Sequence, residues 1–283
     1  MAAAPVTNNP ISPYALAKAL DDCAKRWWGA SLGAKGLGFL TGALISVLPP
    51  EPVPFIVAAC TLIAELCAYR SDAIKGSAQQ FRRKLDLQDG FGWQIPNTDH
   101  SDLLVRCSSW VKTRARTYPV NEPYFAATDP PGPVRALKNV CESAWWTKHL
   151  AQRMATYCWT IMVVGVIGSF ITLIVALQAT STHTVQVNVA KLVTAFLMLF
   201  LSLGVIKLAL GYSSLSKNSE SSERAADRAL QAATPEELGA FKVIYDYHLN
   251  RAAGPLLPTW LWNLRKDDLN QTWKEHRNGT VTT

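Results

Sequence analysis

The chain has 283 residues, of which 49% are hydrophobic and only 17% are charged, whereas a typical globular protein has about 25% charged residues. The 28 Lys and Arg outnumber the 21 Asp and Glu, which gives a formal net charge of +7. This composition excludes intrinsic disorder, which requires low hydrophobicity, and it argues against an ordinary cytosolic enzyme. The 6 cysteines have no metal-binding or redox spacing, so we expect them to be reduced, buried thiols.

The first two apolar runs are residues 27–48 and 53–69. Each contains an ionisable side chain, Lys35 in the first and Glu65 in the second. Either run alone is typical of a buried core helix. Because the proline-rich turn at 49–52 joins them, the pattern favours a transmembrane hairpin.

The second pair of apolar runs is longer and more uniform. Residues 155–178 carry no charged side chain, and a bilayer core requires roughly 20 apolar residues. Residues 189–212 follow, with Lys191 and Lys207 near the ends, where long side chains can reach the membrane surface. We therefore predict a mainly α polytopic membrane protein with four transmembrane helices, in two hairpins, and a helical cytoplasmic domain.

The distribution of Lys and Arg predicts the topology. The turn 49–52 and the loop 179–188 contain none, whereas the three remaining polar segments contain 25 of the 28. By the positive-inside rule both hairpins cross outward and return, which leaves both termini cytoplasmic. The expected segments are a cytoplasmic N-terminal helix (1–26), a first transmembrane hairpin (27–69), a cytoplasmic central segment (70–154), a second transmembrane hairpin (155–212) and a cytoplasmic C-terminal helical segment (213–283).

The polar segments carry several helix signals and no strand-like alternation. Apolar spacing, capping residues and helix breakers define where helices are expected. The expected helices are one over 77–87 that is ended by Gly90 and Gly92, one capped by Asp99 or Ser101 and ending at Arg116, one starting at the Thr234 cap, and one starting at Thr259.

Ionisable residues within predicted spans are functional candidates. Lys35 and Glu65 lie at similar depth in the first hairpin, each about 14 or 15 residues from the turn, or roughly 20 Å below it. A salt bridge, or two side chains reaching the cytoplasmic face, is the simpler interpretation. The alternative is a polar gate in an oligomeric pore, to which Lys207 of the fourth span would also contribute.

The first span carries two pairs of glycines at GxxxG spacing, Gly29 with Gly33 and Gly38 with Gly42. Small residues at this interval allow two helices to approach closely. The pattern therefore predicts helix packing, either within the hairpin or between subunits.

Signals for catalysis are mainly negative. The 5 histidines form no metal-binding motif, and the chain has no P-loop, nucleophile elbow or dinucleotide-binding fingerprint. We therefore expect neither an enzyme nor a metal or cofactor. The basic cluster Arg82-Arg83-Lys84 is compatible with nucleic acid or a small phosphorylated ligand, but its position after a span favours anionic lipid.

Several motifs occur in a distinctive order: two hairpins, Trp145-Trp146 before the third span, the helix end at 244–248, and the connector 254–260 with its Pro-Leu-Leu-Pro-Thr-Trp sequence. In this order the chain resembles the SMODS-associated four-transmembrane effector family of bacterial anti-phage systems. The stretch 81–96 is also similar to the segment that follows the first hairpin in that family.

The resemblance has two departures. The family usually has an acidic residue where Thr259 stands, and another directly after the tryptophan pair, where Thr147 stands. The motifs establish no catalytic residue in the family, so none is carried over.

The resemblance implies a bacterial inner-membrane effector that is gated by a cyclic oligonucleotide and permeabilises or disrupts the membrane, which stops growth of the infected cell. The cognate nucleotidyltransferase would act only through its product, and membrane lipids and a homo-oligomer are expected as partners, with no DNA or RNA. A constitutive channel or transporter and a membrane-bound lipid-acting enzyme are the alternatives. Residue type and compartment give the candidate nucleotide contacts Arg82, Arg83, Trp93, Arg114, Arg116, Tyr245 and Trp260.

Overall fold

A computed structural model describes residues 11–43, 52–119, 125–179, 183–232 and 234–279. Within these ranges the chain forms nine helices and no strand, so the mainly α prediction is confirmed. The helices are α1 Pro13–Ala43, α2 Val53–Phe91, α3 Asn97–Arg106, α4 Ser109–Ala115, α5 Pro133–Ala179, α6 His183–Leu203, α7 Val205–Leu230, α8 Glu237–Ala253 and α9 Thr259–Gly279.

The chain divides into two compact units. The polar unit consists of Met1–Asp22, Lys75–Arg153 and Tyr212–Thr283, and the apolar unit consists of Cys23–Ile74 and Met154–Gly211. Four helices, α1, α2, α5 and α7, contribute residues to both units.

The core of the polar unit is built around the first part of α5. Leu137, Val140, Cys141 and Ala144 follow the three- and four-residue spacing of one helix face, and all are buried. This face packs against apolar residues of α7 and α8. At Gly90 of α2 a Cβ atom would lie only 2.8 Å from an α5 side chain, so only glycine permits the close approach.

The apolar unit presents hydrophobic side chains on its outside. Phe55 and Leu62 of α2, and Val164 and Phe170 of α5, are each more than 60% exposed. Both helices are long and apolar enough to cross a membrane, and only 22% and 11% of their most apolar windows are buried. The core helix of a soluble protein would be mostly buried, so this surface suggests membrane association.

The prediction of four such helices is only partly met, because among the described residues two qualify as candidate spans. The run 27–48 contains Lys35, and its last residues, from 44 onward, lie outside the described part of the chain. The run 189–212 is divided between α6 and α7 at Gly204, which has a φ of +65°. That left-handed residue interrupts what the sequence predicts as one continuous helix.

Helix ends in the polar unit agree with the sequence in some places and differ in others. The helix predicted over 77–87 is the end of α2, which continues through Gly90, contrary to the prediction, and stops just before Gly92 as expected; α9 starts at Thr259 as expected. The single helix expected to end at Arg116 is instead α3 and α4, because Cys107 adopts an extended conformation. Thr234 is not the α8 cap, since that helix starts at Glu237.

Candidate ligand-binding site

Four rings form a continuous surface feature of the polar unit, and we call Phe91, Trp93, Phe241 and Tyr245 the aromatic row. Successive ring centroids are 5.2, 5.7 and 5.9 Å apart, which is the range of favourable aromatic contacts. Trp93 is 45% exposed and Tyr245 is 40% exposed. A ligand can therefore reach the row from solvent.

Local chain geometry assembles the aromatic row. Phe241 and Tyr245 are four residues apart on α8 and therefore lie on one face of that helix. On the other side, Gly92 ends α2 with a φ of +76°, a left-handed conformation that glycine adopts without steric cost. The turn at Gly92 returns Trp93 to contact both the end of α2 and the Phe241 ring.

A positive charge is fixed against the aromatic row. The guanidinium carbon of Arg83 lies 5.3 Å from the centroid of the Tyr245 ring, which is a cation–π distance. Exposed rings beside a cation are the features with which proteins bind bases and phosphates. Of the seven nucleotide contacts predicted from the sequence, Arg83, Trp93 and Tyr245 are brought together here.

Contacts between α2 and α8 define their relative direction. Three pairs mark the contact from one end to the other: Lys75 with Gly254, Asp86 with His248, and Trp93 with Phe241. Residue numbers rise along α2 as they fall along α8, so the two helices are antiparallel. Arg82 stands one turn before Asp86, and Arg251 stands about one turn after His248. The register therefore places Arg82 and Arg251 at the same level.

We call Arg82, Asp86, His248 and Arg251 the buried charged cluster. Asp86 is 7% exposed and His248 is 4% exposed, while the two arginines are half-buried. Burial, with the charges of Arg251 and Arg82, lowers the pKa of His248 from 6.5 to about 3. The imidazole is therefore neutral at pH 7, and its Nε2 lies 3.3 Å from Asp86 Oδ2. The contact therefore joins a neutral ring and a carboxyl group rather than two opposite charges.

Burial also acts on the other members of the cluster. It raises the pKa of Asp86 from 3.8 to about 6, against the opposing effect of Arg82 and Arg251. The pKa of Arg82 is lowered, first by burial and next by the like charge of Arg251. The pKa of Arg251 is instead raised, because Tyr247, Asp86 and Asp21 outweigh the effect of burial.

A second polar network ties α2 to α5. Arg135 donates to both carboxylate oxygens of Asp89, through Nη2 at 2.6 Å and Nε at 3.2 Å, and Asn139 Nδ2 donates to Asp89 Oδ2 at 2.6 Å. A two-point Arg–carboxylate pair has a fixed orientation. The network therefore holds this part of α2, with the adjacent Asp86, in one position against α5.

A small cavity lies beside the buried charged cluster, lined in part by Asp86, Asn139 and His248. Three buried acceptors of these residues have no hydrogen-bond partner: Asp86 Oδ1, Asn139 Oδ1 and His248 Nδ1. The space holds about one water molecule, which could donate to two of these acceptors. A nucleotide does not fit there. No group of three His, Cys, Asp or Glu in the described ranges is placed to hold a metal ion.

The remaining predicted nucleotide contacts have other surroundings. Arg114 Nε donates to Asp22 Oδ2 at 2.9 Å, and its guanidinium carbon lies 5.1 Å from the Tyr118 ring centroid. Arg116 Nε is buried without a hydrogen-bond partner. Trp260 is 53% exposed at the start of α9. Arg82 belongs to the buried charged cluster, where the charges of Arg251, Asp86 and Asp21 act on it.

The predicted gate residues lie in the apolar unit. Lys35 Nζ and Glu65 Oε1 are 3.2 Å apart and form an ion pair between α1 and α2. This ion pair is the simpler of the two interpretations of these residues. Lys207 lies in α7 and is exposed. A role for these three residues in a gate stays a prediction.

The two glycine pairs of α1 differ in their surroundings. A Cβ at Gly38 would lie 3.2 Å from Cys60 Cβ, and one at Gly42 would lie 3.9 Å from a Val57 methyl group, so this pair faces α2. At Gly29 and Gly33 an added Cβ would meet open space. Packing within the hairpin therefore uses only the second pair.

Four residues of the site are not predicted from the sequence: Asp86, Phe241, His248 and Arg251. Helical spacing contained a signal for them, because Phe241 stands four residues before Tyr245, and Arg82 stands four residues before Asp86. What the sequence did not contain was the pairing of α2 with α8. These helices are more than 140 residues apart in the chain.

Comparison with protein-family models, curated proteins and solved structures finds no match to this chain. The resemblance to four-transmembrane effectors therefore rests on the order of short motifs. The aromatic row, the buried charged cluster and the exposed apolar helices are the features from which a function is inferred.

Proposed function

We propose that this chain is a membrane effector of bacterial anti-phage defence, which a cyclic oligonucleotide activates and which then permeabilises or disrupts the inner membrane. The observation that carries the proposal is the aromatic row with Arg83 against Tyr245 in the polar unit, whereas the exposed apolar parts of α2 and α5 belong to the apolar unit. One unit has the chemistry to bind a nucleotide and the other has the surface to enter a bilayer. The order of the sequence motifs supports the same function.

The ligand is proposed to be a cyclic oligonucleotide because the site offers flat rings and guanidinium groups together. Bases stack on exposed aromatic side chains, and this stacking contributes about 1–3 kcal/mol per base. Phosphodiesters carry one negative charge each and pair with arginine. Trp93, Tyr245 and Arg83 supply both kinds of contact within one surface.

For the membrane part, we propose four spans in two hairpins, with both termini and the central segment in the cytoplasm. Support comes from the uneven distribution of Lys and Arg and from the largely exposed apolar faces of α2 and α5. Each of these two helices needs a partner span in its hairpin, α1 for α2 and the run 189–212 for α5, to keep the basic segments on one side of the membrane. A polar segment left on the far side would break the positive-inside rule.

We further propose that the active form is a homo-oligomer. Four helices of one subunit are too few to enclose a wide aqueous path, so several subunits would have to contribute. The open space around Gly29 and Gly33 on α1 leaves a small-residue face available for a neighbouring subunit. Membrane lipids would cover the remaining apolar surface.

The direct test of the proposal is dye release from liposomes that contain the purified protein. The liposomes are treated with cyclic di-AMP, cyclic di-GMP, cyclic GMP–AMP and cyclic tri-AMP, and linear AMP is the control. We expect release with at least one cyclic nucleotide and only background release with AMP. Release of equal size without any nucleotide would instead indicate a constitutive channel or transporter, and the proposal would be wrong.

The second alternative is a membrane-bound enzyme that acts on lipid. It predicts no release under any condition, together with a change in the lipid composition of the liposomes after incubation. Extraction and mass spectrometry of the same samples would detect that change. Intact lipids in liposomes that release dye would argue against the enzyme.

A further inference from the structure

We propose that the cytoplasmic rim of the first hairpin binds the phosphate groups of anionic phospholipids. The binding residues are Arg26 and Trp27 of α1 with Tyr69 and Arg70 of α2, which we call the rim cluster, and all four belong to the apolar unit. This inference rests on the membrane part of the proposed function, in which α1 and α2 cross the bilayer. It is independent of the nucleotide site.

A hydrogen bond between α1 and α2 places the rim cluster at one level. The Ser71 hydroxyl donates to the Ala24 carbonyl oxygen at 2.8 Å in a buried position. Farther along α1, Gly38 faces Cys60, which is earlier in α2, so the two helices are antiparallel. The α1 members of the cluster follow Ala24 by two and three residues, and the α2 members precede Ser71 by one and two. At 1.5 Å per residue, all four lie within about 5 Å of this bond along the helix axes, on its membrane side.

Three side chains of the rim cluster act on one buried thiol, that of Cys23. Burial raises the pKa of this thiol, and Arg26, a hydrogen bond from the Trp27 indole, and Arg70 oppose that rise. The two guanidinium groups and the indole therefore lie near the same point on α1. Both arginines are exposed, so a lipid headgroup can reach them.

The aromatic members of the rim cluster mark the edge of a bilayer. Trp27 is the first residue of the apolar run 27–48, and Tyr69 is the last residue of the run 53–69. Trp27 is 38% exposed and Tyr69 is 73% exposed. Tryptophan and tyrosine are enriched where the hydrocarbon core meets the headgroups, because their side chains are apolar with one polar end. The arginines at the same height therefore lie at the level of lipid phosphates.

The distribution of charge favours an anion at this level. The sequence of the apolar unit contains three acidic residues. Glu51 belongs to the proline-rich turn at the other end of the hairpin, and Glu65 pairs with Lys35 at 3.2 Å. Asp72 follows Arg70 by two residues, which places it on the opposite side of α2. Within the described part of the chain Arg70 therefore has no ion-pair partner, and a lipid phosphate would supply one.

The experiment measures which lipids the full chain retains. The protein is equilibrated in micelles with equal amounts of phosphatidylglycerol and phosphatidylcholine, and native mass spectrometry counts the lipids that stay bound. An arginine near a bilayer surface favours anionic lipid about fivefold, so we expect an excess of bound phosphatidylglycerol in the wild type. Arg26→Gln and Arg70→Gln should each reduce this excess about fivefold, and the double variant should bind both lipids nearly equally.

The matched control is the double variant Arg224→Gln, Arg265→Gln, which also removes two positive charges. These arginines form ion pairs with Glu220 and Asp268 in the polar unit. The control should keep the wild-type preference for phosphatidylglycerol. An equal loss in the control would mean that net charge alone sets the preference, and the inference would be wrong. It would also be wrong if the wild type showed no preference, or if the rim double variant kept it.

A second rim variant, Arg26→Lys with Arg70→Lys, guards against a loss of folding. It keeps both positive charges, so it should fold and retain the preference for phosphatidylglycerol, since the attraction of anionic lipid depends on charge. If it folds and loses the preference as the glutamine variant does, charge at the rim is not what binds the lipid, and the inference fails.

A free phosphate ion has the same charge chemistry as a lipid headgroup, and competition distinguishes the two. An excess of inorganic phosphate should leave the phosphatidylglycerol bound, because only a lipid also contacts the apolar surface beside the rim cluster. Displacement of the lipid by phosphate would overturn the inference. A lipid preference without nucleotide-triggered dye release would overturn the proposed effector function alone, and dye release without a lipid preference would overturn this inference alone.

Discussion

At the scale of single residues, the contact between Asp86 and His248 shows how burial decides whether two ionisable side chains are charged. Their 3.3 Å separation has the geometry of an ion pair, but burial shifts the pKa of each residue toward the uncharged form. The carboxyl group therefore takes up a proton near pH 6, where the imidazole is still neutral. Below that pH the pair loses its negative charge and gains no positive one, and Arg82 and Arg251 keep theirs.

Because the pKa of Asp86 is raised and that of His248 is lowered, removing one or the other should change the pH dependence of the free energy of unfolding in opposite directions. In His248→Gln only Asp86 remains, and with its pKa raised from 3.8 to about 6 the folded chain binds a proton that the unfolded chain does not. Its free energy of unfolding should rise, relative to wild type, as the pH falls from 6 to 4. In Asp86→Asn only His248 remains, and its pKa is lowered from 6.5 to about 3, so the unfolded chain binds the proton first. Its free energy of unfolding should fall over the same range.

Thermal unfolding in one detergent at pH 6 and pH 4.5 measures this difference. All other titrating groups are common to the three proteins, so each variant is compared with the wild type at the same pH. Identical pH slopes for the wild type and both variants would show that neither group is shifted by burial.

The exposed rings of the aromatic row make a separate prediction for binding. Tyr245→Leu and Trp93→Leu keep apolar bulk but remove a stacking surface and, for Tyr245, the cation–π partner of Arg83. A stacked base contributes about 1–3 kcal/mol, so each variant should weaken cyclic nucleotide binding about fivefold to hundredfold. Trp110→Leu on α4 is the control, because this tryptophan is similarly exposed and lies outside the row. Equal affinity in all three variants would place the ligand elsewhere.

At the scale of helices, the two glycine pairs of α1 distinguish a face that packs against α2 from a face with open space around it. Gly38→Val would force a branched side chain against Cys60, where a single Cβ is already within 3.2 Å, whereas Gly33→Val would enter open space. We expect Gly38→Val to destabilise the apolar unit by about 1–3 kcal/mol and Gly33→Val to leave the monomer unaffected. Unfolding midpoints in detergent measure the difference. Equal midpoints would mean that α1 and α2 do not approach closely at Gly38.

The same Gly33→Val variant tests whether Gly29 and Gly33 face another subunit. If they do, it should lower the fraction of oligomer seen by crosslinking in liposomes, while the monomer remains folded. Such a result would distinguish the two interpretations of the GxxxG pattern that the sequence left open.

Helix ends show what local signals can and cannot predict. Gly92 ends α2 and Thr259 begins α9 through their own backbone geometry and short-range contacts, so these two helix ends were predictable from the sequence. Thr234 carried a complete capping pattern, but the helix starts three residues later, with Glu236 at the N-cap and no side-chain cap. Likewise α3 begins after Pro96 without the expected cap from Asp99 or Ser101. Tertiary packing overrides such weak preferences.

The tryptophan pair illustrates a motif whose role depends on long-range packing. The Trp145 ring lies 5.2 Å from the Trp273 ring and the Trp146 ring 4.7 Å from the Trp262 ring, both in tilted arrangements, so both tryptophans hold α9 on α5. Nothing near Trp145 in the sequence indicates these partners. For the same reason the aromatic row was only half predictable, because residue type identified Trp93 and Tyr245 but not the ring of Phe241 that connects them.

At the scale of the whole molecule, the number of spans is the feature on which sequence and structure differ. Alkaline phosphatase fusions test it, because the enzyme is active only outside the cytoplasm. Four spans predict activity for a fusion in the loop 179–188 and none for fusions at residue 118 or at the C-terminus. If only α2 and α5 cross, residue 118 lies outside and the loop 179–188 inside, so the first two results would be reversed.

We propose that a cyclic nucleotide bound at the aromatic row of the polar unit makes the apolar unit permeabilise a membrane. The most direct measurement compares nucleotide-triggered dye release from liposomes that contain the wild type or Tyr245→Leu, reconstituted at equal density. We predict release by the wild type, and release by Tyr245→Leu only at nucleotide concentrations about fivefold to hundredfold higher. Identical concentration dependence in the two proteins, or release that needs no nucleotide, would contradict the claim.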